Sequence, residues 1–355
     1  MNSINTSNYP IHFKTSSYTE LNIHLKTVNY SKIFVLVDQN THEFCLPYFL
    51  SNLETDIEVE IIEIEAGEIH KNIETCSGVW NVLSELEADR KSLLINLGGG
   101  VITDLGGFVA STFKRGIAYI QVPTTLLSMV DASIGGKTGV DLEHLKNQIG
   151  VINTGEMVLI DTYYLNTLPE NQMRSGLAEM LKHGLIYSED YWNKFTVLEK
   201  LRLDDLDALI HESIEIKNQI VEKDPLEHHL RKSLNYGHTL GHAIESYYLS
   251  QSNKTAFLHG EAIAIGMILA TYISTRLTNF STETCQHIKD VILDVFGQPK
   301  ILDKDIQPII DLLKFDKKNE HGNINFVLLE SIGKPKINCQ VENDLIFEAF
   351  KFYNS

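Results

Sequence analysis

The chain has 355 residues, of which 43% are hydrophobic and 22% charged. That composition is typical of a globular protein of about two domains, large enough to bury its cores without disulfide or metal staples. The formal net charge of −17 argues against nonspecific binding to nucleic acid, because a polyanion requires a basic face. An anionic small substrate therefore requires a local cluster of Lys and Arg side chains.

The four cysteines lie far apart without a C-x-x-C pair, which predicts neither a disulfide framework nor a zinc–cysteine site. The N-terminus lacks a basic start followed by an apolar run. The most apolar stretch, residues 262–273, is much shorter than the roughly 20 residues of a membrane span. These features predict a cytoplasmic protein that does not bind membranes.

Short β-branched runs alternate with helical stretches up to about residue 165. The runs cover residues 32–38, 56–65, 92–97, 117–122 and 157–161. Such alternation is typical of βαβ units in a mostly parallel sheet, whose ligands bind at the carboxyl ends of the strands. We therefore expect an N-terminal α/β domain over residues 1–165.

After residue 165 strand-like runs nearly vanish and long amphipathic stretches follow. The sequence T-L-P-E from Thr167 to Glu170 predicts a capping box with an early proline. It would open a mainly α-helical domain over residues 166–355. One run near the end, residues 323–331, predicts a strand within that domain.

A lysine interrupts one apolar helical stripe of this second part. Ile210, Ile214, Lys217 and Val221 fall on one helix face at i, i+4, i+7 and i+11. The Lys217 side chain either snorkels outward to solvent or brings its charge into a cleft to meet an anionic substrate. The pattern favours neither outcome.

A glycine triplet, Gly98 to Gly100, follows an apolar run and precedes a helix-compatible segment. Such a loop lets the backbone approach a pyrophosphate at a helix N-terminus. The match to G-x-G-x-x-G is incomplete because Thr103 stands at the third glycine, so the alternative is a turn with a purely geometric role. Asp38, which ends an earlier strand-like run, either binds ribose hydroxyls or caps a helix.

Residues 133–139, SIGGKTG, imitate the end of a Walker A motif, but Asp131 occupies the position of its first glycine. An NTPase is therefore disfavoured. The polar groups near this loop form either an anion-binding set or ordinary solvated surface: Arg115, Lys137, Lys146 and Asn147.

Two histidines, His238 and His242, stand at i and i+4 and would share one face of a helix. Thr239 replaces the glutamate of H-E-x-x-H, so a protease is not indicated, and helix packing is the alternative to a metal site. His259 precedes an apolar helix, and Glu179 lies in another helical stretch. A carboxylate with two imidazoles is a common catalytic zinc set, suited with a nicotinamide to oxidation of a secondary alcohol.

Five segments together resemble the 3-dehydroquinate synthase family in order and spacing: GGGVITDLGGFVASTFKRGI, QVPTTLLSMVDASIGGKTGVD, GLAEMLKHGLI, LRKSLNYGHTLGHAIE and LHGEAIAIGM. The resemblance covers nearly the whole chain, and the combination is far more specific than any one segment. It implies a Rossmann-like α/β N-terminal domain that binds NAD, a mainly α-helical C-terminal domain that binds the metal, and a homodimer. Tyr164, Tyr236 and Ser233 depart from the usual family residues, but none of them touches a group that the resemblance places in the chemistry.

The resemblance also implies the site residues. The metal, zinc with cobalt or iron as alternatives, would be held by Glu179, His238 and His259, which moves His242 to the substrate side. The implied NAD contacts are Asp38, Asn40, Glu68, Lys71, Gly99, Gly100, Val101, Asp104, Thr124, Thr125, Lys146 and Thr167. The implied substrate contacts are Asp131, Lys137, Asn147, Lys182, Lys217, Arg231, Asn235 and His242, with Arg115 from across the dimer and Lys317 or Lys318 near the end.

The implied reaction converts 3-deoxy-D-arabino-heptulosonate 7-phosphate to 3-dehydroquinate and phosphate, a step of the shikimate pathway. NAD oxidises the C5 hydroxyl, phosphate is eliminated, C5 is reduced again, and an intramolecular aldol reaction closes the ring. The alternatives are sister cyclases that make 2-epi-5-epi-valiolone or 2-deoxy-scyllo-inosose, a metal-dependent polyol dehydrogenase, and a non-catalytic NAD-binding protein. Lys217, Asn235 and His242 agree with the dehydroquinate branch.

Overall fold

The computed structural model describes residues 1–143, 145–196, 203–251, 253–315 and 324–355. The chain forms two compact units, which we call the first unit (Met1–Met173 and Asp207–Asn218) and the second unit (Arg174–Leu206 and Gln219–Ser355). The functional division expected after residue 165 stays a prediction. Across the described ranges, no helix has both the length and the apolar character needed to cross a membrane.

The first unit is built around a β-sheet. Those described are β1 (Ile4–Asn5), β2 (Pro10–Phe13), β3 (Ile33–Asp38), β4 (Val59–Ile64), β5 (Leu93–Gly98), β6 (Ala118–Pro123), β7 (Lys137–Leu142), β8 (Leu145–Ile152) and β9 (Met157–Ile160). Seven of them form one sheet in the order β1-β2-β9-β6-β5-β3-β4, parallel except for the β1–β2 pair. The predicted α/β fold with a mostly parallel sheet is confirmed.

All five predicted strand runs are strands, but four strands escaped prediction. β1 has two residues, and β2 begins with Pro10, which a strand tolerates at its first position. β7 and β8 pair as an antiparallel hairpin outside the main sheet. The β8 sequence LKNQIGVI has no buried residue among those described, so it lacks the apolar periodicity on which strand prediction depends.

The order of the strands creates a ligand-binding edge. β3 pairs with β4 on one side and with β5 on the other, so the direction of strand addition reverses there. In open α/β sheets ligands bind outside the carboxyl ends of the strands at such a switch point. β3 and β5 are buried almost throughout, which gives this edge a rigid base.

Five helices accompany these strands: α1 (Thr15–Thr27), α2 (Gln39–Phe44), α3 (Leu46–Ser51), α4 (Ile73–Glu85) and α5 (Gly100–Thr112). α5 is buried along most of its length. A Cβ at Gly106 would overlap the buried Asn96 side chain, and one at Gly107 would overlap Thr138 of β7. These two glycines therefore let α5 pack directly against β5 and β7.

Helices make up most of the rest of the chain: α6 (Glu170–Tyr187), α7 (Glu189–Asn193), α8 (Leu203–Lys223), α9 (His238–Leu249), α10 (His259–Leu277), α11 (Thr282–Phe296), α12 (Asp303–Leu312) and α13 (Asn343–Asn354). Two strands, β10 (Phe326–Ser331) and β11 (Lys334–Cys339), form an antiparallel hairpin. The predictions of a mainly helical second part and of one strand within it are both confirmed. Residues 207–218 of α8 belong to the first unit.

The capping box predicted from Thr167 to Glu170 is wrong. Thr167 ends a 3-10 helix, Thr162–Thr167, and its hydroxyl donates to the Tyr164 carbonyl oxygen at 3.3 Å. Leu168 is extended, as expected of a residue before proline. α6 therefore begins only at Glu170.

Helices α9 and α10 approach each other through glycines. Gly237, the N-cap of α9, has a φ of 77°, and a Cβ there would lie 2.7 Å from Met267 Cγ. A Cβ at Gly266 of α10 would overlap the carbonyl oxygen of Gly237. This near-backbone contact sets the separation of two helices whose first residues are His238 and His259.

Two glycine-to-alanine substitutions test the close packing of α5. Gly106→Ala should lower the free energy of unfolding by about 1–3 kcal/mol, because its methyl group collides with Asn96. Gly78→Ala is the matched control on α4, where a Cβ meets no atom of the described chain within 4 Å. It should raise stability by about 0.5–1 kcal/mol. Urea unfolding measures both, and equal stabilisation of the two variants would contradict this packing.

Candidate active site

The glycine triplet joins the end of β5 to the start of α5. Gly98 ends the strand, Gly99 is the helix N-cap, and Gly100 is the first helical residue. A Cβ at Gly99 would lie 2.9 Å from Thr125 Cγ2, so a larger residue does not fit there. Thr103 bonds the Gly99 carbonyl oxygen through both its N–H and its hydroxyl, at 3.0 and 3.2 Å. A helix N-terminus at the switch point is a suitable place for a phosphate.

The neighbouring strand ends carry further predicted NAD contacts. Asp38 ends β3, and its Oδ1 accepts the Thr41 N–H at 2.8 Å, so Asp38 does cap α2, while its contact with a ribose stays a prediction. Thr124 and Thr125 follow β6, and the Thr124 N–H donates to the Gly98 carbonyl oxygen at 2.9 Å. β3, β5 and β6 are adjacent, so these residues share one edge of the sheet.

A buried lysine links two more predicted NAD contacts to a predicted substrate contact. Lys71 Nζ donates to Asp104 Oδ2 and to Asn147 Oδ1, each at 2.6 Å. Burial opposes the charge of Lys71, but Asp104, Glu68 and Asp141 outweigh it and raise the pKa of the lysine. Burial also raises the pKa of Asp104 despite Lys71. Three carboxylates favour the charged form of the ammonium, and the Lys71–Asp104 contact is an ion pair.

A second lysine extends this network. Lys146 pairs with Glu68 and lies 3.2 Å from Asp141 Oδ2, while Asp141 Oδ1 accepts the Asn147 N–H at 2.7 Å. Asn147 has a φ of 51°, a strained conformation that concentrates at functional sites. The sequence analysis missed Asp141. Its position between the apolar residues Val140 and Leu142 was the signal that could have indicated a buried carboxylate.

Lys217 is buried, which confirms that the stripe on α8 faces inward. Its Nζ donates to the Asp131 carbonyl oxygen at 2.5 Å and to Asp131 Oδ1 at 2.6 Å. Asp131 lies in a single π-helical turn, Ser128–Ala132, a distortion frequent at functional sites. The alternative in which Lys217 snorkels to solvent is therefore wrong.

The most unusual group of the second unit is the Glu179 carboxylate, whose side chain is 0% exposed. Lys182, one turn later on α6, binds Oε2. Oε1 lies 3.5 Å from His238 Nε2 and 3.9 Å from His259 Nε2. Among the described residues, no donor forms a hydrogen bond with this oxygen. A buried carboxylate oxygen in that state carries a large desolvation cost unless a cation neutralises it.

The imidazole of His238 is held by a backbone carbonyl. Its Nδ1 lies 3.1 Å from the Tyr236 carbonyl oxygen. A carbonyl oxygen can only accept, so Nδ1 carries a hydrogen, and in the neutral ring Nε2 presents its lone pair toward Glu179. The predicted ligands Glu179, His238 and His259 thus supply three donor atoms that suit zinc.

His242 lies beside the same group. One ring nitrogen from each of His238, His242 and His259 falls within 4.8 Å of the others. The ring centroids of His242 and His259 are 5.6 Å apart. The geometry therefore offers a three-histidine set as an alternative to the predicted set with Glu179, and the ligand assignment stays a prediction.

Two other predicted substrate contacts lie just before α9. Arg231 is buried, its N–H donates to Asp224 Oδ2 at 3.0 Å, and its Nη1 donates to the Pro225 carbonyl oxygen at 2.6 Å. Asn235 Nδ2 donates to Glu227 Oε1 at 2.8 Å. The sequence analysis missed Glu227, for which no motif or periodicity gave a signal.

The remaining predicted residues occupy separate places in the fold. Arg115, Asn40 and Thr167 are exposed, Val101 lies in the first turn of α5, and Lys137 begins β7. Arg115 has a φ of 70° and stands between Lys114 and Gly116, which also have positive φ. Lys317 and Lys318 lie outside the described residues.

Two family models match the chain in succession. The 3-dehydroquinate synthase N-terminal model matches residues 61–175, and the C-terminal model of the same family matches residues 176–319. The chain belongs to the 3-dehydroquinate synthase family. The matched ranges contain the glycine triplet, both lysine networks, and Glu179 with its three neighbouring histidines.

Individual relatives agree over almost the full length. A 3-dehydroquinate synthase of Parabacteroides distasonis is 40% identical over 94% of this chain and 95% of its own length. One of Dictyoglomus thermophilum is 40% identical over 97% of this chain and 95% of its own. Among solved structures, a 2-deoxy-scyllo-inosose synthase complexed with carbaglucose-6-phosphate, NAD+ and Co2+ has a TM-score of 0.85 at 26% identity, covering 99% of both chains.

A double-mutant cycle tests the Lys71–Asp104 pair. Lys71→Met should cost about 3 kcal/mol of unfolding free energy, because it leaves the Asp104 carboxylate without its buried partner. The double variant with Asp104→Asn should be more stable than Lys71→Met alone, since the stranded charge is removed. Urea unfolding measures all four proteins, and strictly additive effects would show that the pair does not interact.

Alanine variants of the three histidines decide the ligand set. His238→Ala and His259→Ala should each weaken zinc binding by more than about 100-fold, beyond the usual effect of losing an outer-shell partner. His242→Ala should retain zinc binding, as should His287→Ala, an exposed histidine on α11. Competition with a chromophoric chelator gives the dissociation constants. Loss of zinc binding in His242→Ala would support the three-histidine set instead.

Proposed function

We propose that the chain is a 3-dehydroquinate synthase, a carbon–oxygen lyase that converts 3-deoxy-D-arabino-heptulosonate 7-phosphate to 3-dehydroquinate and phosphate. Relatives of that name, 40% identical over nearly the whole chain, support the proposal. The structural observation that carries it is the buried Glu179 carboxylate, whose Oε1 lies within 3.9 Å of the Nε2 atoms of His238 and His259. This donor set suits chemistry on a hydroxyl group.

The proposed ligands Glu179, His238 and His259 hold zinc, with cobalt as the alternative. When bound, the ion supplies a Lewis acid for the substrate hydroxyl that is to be oxidised. Lys182 holds the second oxygen of Glu179 and so leaves one carboxylate oxygen for the ion. The Tyr236 carbonyl oxygen fixes the tautomer of His238, which keeps its Nε2 available.

The first unit holds NAD in this proposal. NAD would supply a hydride acceptor that is regenerated within the same turnover. Gly99 and Gly100 at the N-terminus of α5 would hold its pyrophosphate. The remaining proposed contacts surround that edge or belong to the lysine networks: Asp38, Asn40, Glu68, Lys71, Val101, Asp104, Thr124, Thr125, Lys146 and Thr167.

Cationic side chains receive the substrate's phosphate and carboxylate in this proposal. Asp131 holds the Lys217 ammonium in place, and the Pro225 carbonyl oxygen holds the Arg231 guanidinium. The proposed substrate contacts are Asp131, Lys137, Asn147, Lys182, Lys217, Arg231, Asn235 and His242. Their task is positioning and charge stabilisation, because the substrate's own phosphate helps to remove the proton.

We also propose a cytoplasmic homodimer. Arg115, exposed on a turn of three consecutive residues with positive φ, would reach the active site of the partner. The four cysteines are free, which agrees with a reducing compartment.

A sister cyclase is the second candidate, because the 2-deoxy-scyllo-inosose synthase shares the fold over 99% of the chain. The two candidates differ in the carboxylate of the heptulosonate, which sugar phosphates such as sedoheptulose 7-phosphate lack. The two substrates should therefore differ strongly in binding. A buried cation that pairs with the substrate carboxylate is left unpaired when that carboxylate is absent. Substrate choice therefore separates the two candidates.

The deciding assay supplies the heptulosonate phosphate, NAD and zinc, and follows phosphate release together with dehydroquinate formation. We expect equal amounts of both products, no net NADH, and loss of turnover when a chelator removes the metal. Sedoheptulose 7-phosphate should not be turned over. Its turnover in place of the heptulosonate would favour the sister cyclase, and stoichiometric NADH would favour a polyol dehydrogenase.

A further inference from the structure

His259 has a carboxylate partner to which the sequence analysis assigned no role. His259 Nδ1 lies 3.0 Å from Glu245 Oε2, and the Glu245 side chain is 7% exposed. Glu245 is on α9, seven residues after His238, so it lies on the same helix face two turns further along. One face of α9 thus carries both His238 and a group that contacts His259.

The contact determines which nitrogen of His259 is available. An ionised carboxylate can only accept hydrogen bonds, so the Nδ1 of His259 carries the hydrogen. Its Nε2 then presents a lone pair, and this is the atom that lies 3.9 Å from Glu179 Oε1. A carboxylate behind a ligating imidazole also raises the basicity of the ligating nitrogen.

Two backbone contacts hold the start of α10 on either side of His259. The Gly260 N–H donates to Ser175 Oγ at 2.9 Å, and the Leu258 N–H donates to Glu261 Oε2 at 2.8 Å. They do not involve the imidazole ring, whose rotation about its side-chain bonds is restrained by partners on the ring itself. Glu245 is such a partner.

We propose that Glu245 is a positioning residue of the metal site: it holds His259 in the Nδ1–H tautomer and sets the angle at which Nε2 meets the ion. The inference rests on the metal ligands proposed above. Glu245 does not touch the ion or the substrate in this account. Its effect is on metal affinity and coordination geometry, which are measurable without NAD or substrate.

Metal binding by two Glu245 variants tests the proposal. Glu245→Leu removes the acceptor and should weaken zinc binding about 10–100-fold, the range for loss of such a partner. Glu245→Gln keeps an acceptor oxygen without the charge and should lose about 10-fold, the lower end of that range. The visible absorption of the Co2+-loaded protein should change in both, because it reports coordination geometry.

Glu261→Gln is the matched control. Glu261 caps the same helix without touching the imidazole, and glutamine serves equally well in a capping box. Its zinc affinity and Co2+ spectrum should equal those of the unaltered protein. Thermal unfolding of each metal-free variant shows whether it is folded.

The outcomes separate this inference from the proposed metal site. If His259→Ala leaves zinc affinity unchanged, the ligand set itself is wrong. If His259→Ala loses zinc while Glu245→Leu keeps both the affinity and the Co2+ spectrum, only the role of Glu245 is overturned. Should Glu245→Leu fail to fold, Glu245→Gln decides, and unchanged zinc affinity in that variant overturns the proposal.

Discussion

The burial of the Glu179 carboxylate is the constraint on which the second unit depends. A carboxylate removed from water must be neutralised, and Lys182 neutralises it through one oxygen. The other oxygen faces two imidazoles whose ring nitrogens can be donors or lone pairs. A carbonyl oxygen and a carboxylate place a hydrogen on Nδ1 of both rings, so in the neutral rings the three atoms turned toward one another are all electron donors. A cation bound between them would satisfy all three.

The first unit meets a different constraint, which is access of a large ligand to backbone N–H groups. The reversal of strand addition between β3 and β5 leaves an edge where Gly98 to Gly100 begin α5. Lys71 and Lys146 each pair with a carboxylate beside that edge, and Lys71 also donates to Asn147. Such fully paired networks are rigid, so they preset the positions of charged groups before any ligand arrives.

Much of the fold and part of the site could be predicted from the sequence. The buried strands and the apolar face of α8 could be predicted because buried side chains recur at regular intervals along the sequence. β8 was missed because it has no buried residues and so no apolar pattern. The start of α6 was misplaced because the helix begins only after Pro169. The pairing of Glu245 with His259 and of Glu68 with Lys146 joins separate segments. Tertiary packing creates those contacts, and no local rule encodes them.

The close approach of α9 and α10 through Gly237 and Gly266 has an electrostatic consequence. His238 and His259 are each the first residue of their helix, so two helix N-termini, each equivalent to roughly half a positive charge, converge on the proposed metal ligands. The chain as a whole carries a formal charge of −17 and repels anions at long range. The converging helix dipoles make the potential at this place more positive than the net charge alone implies, which favours an anionic ligand there.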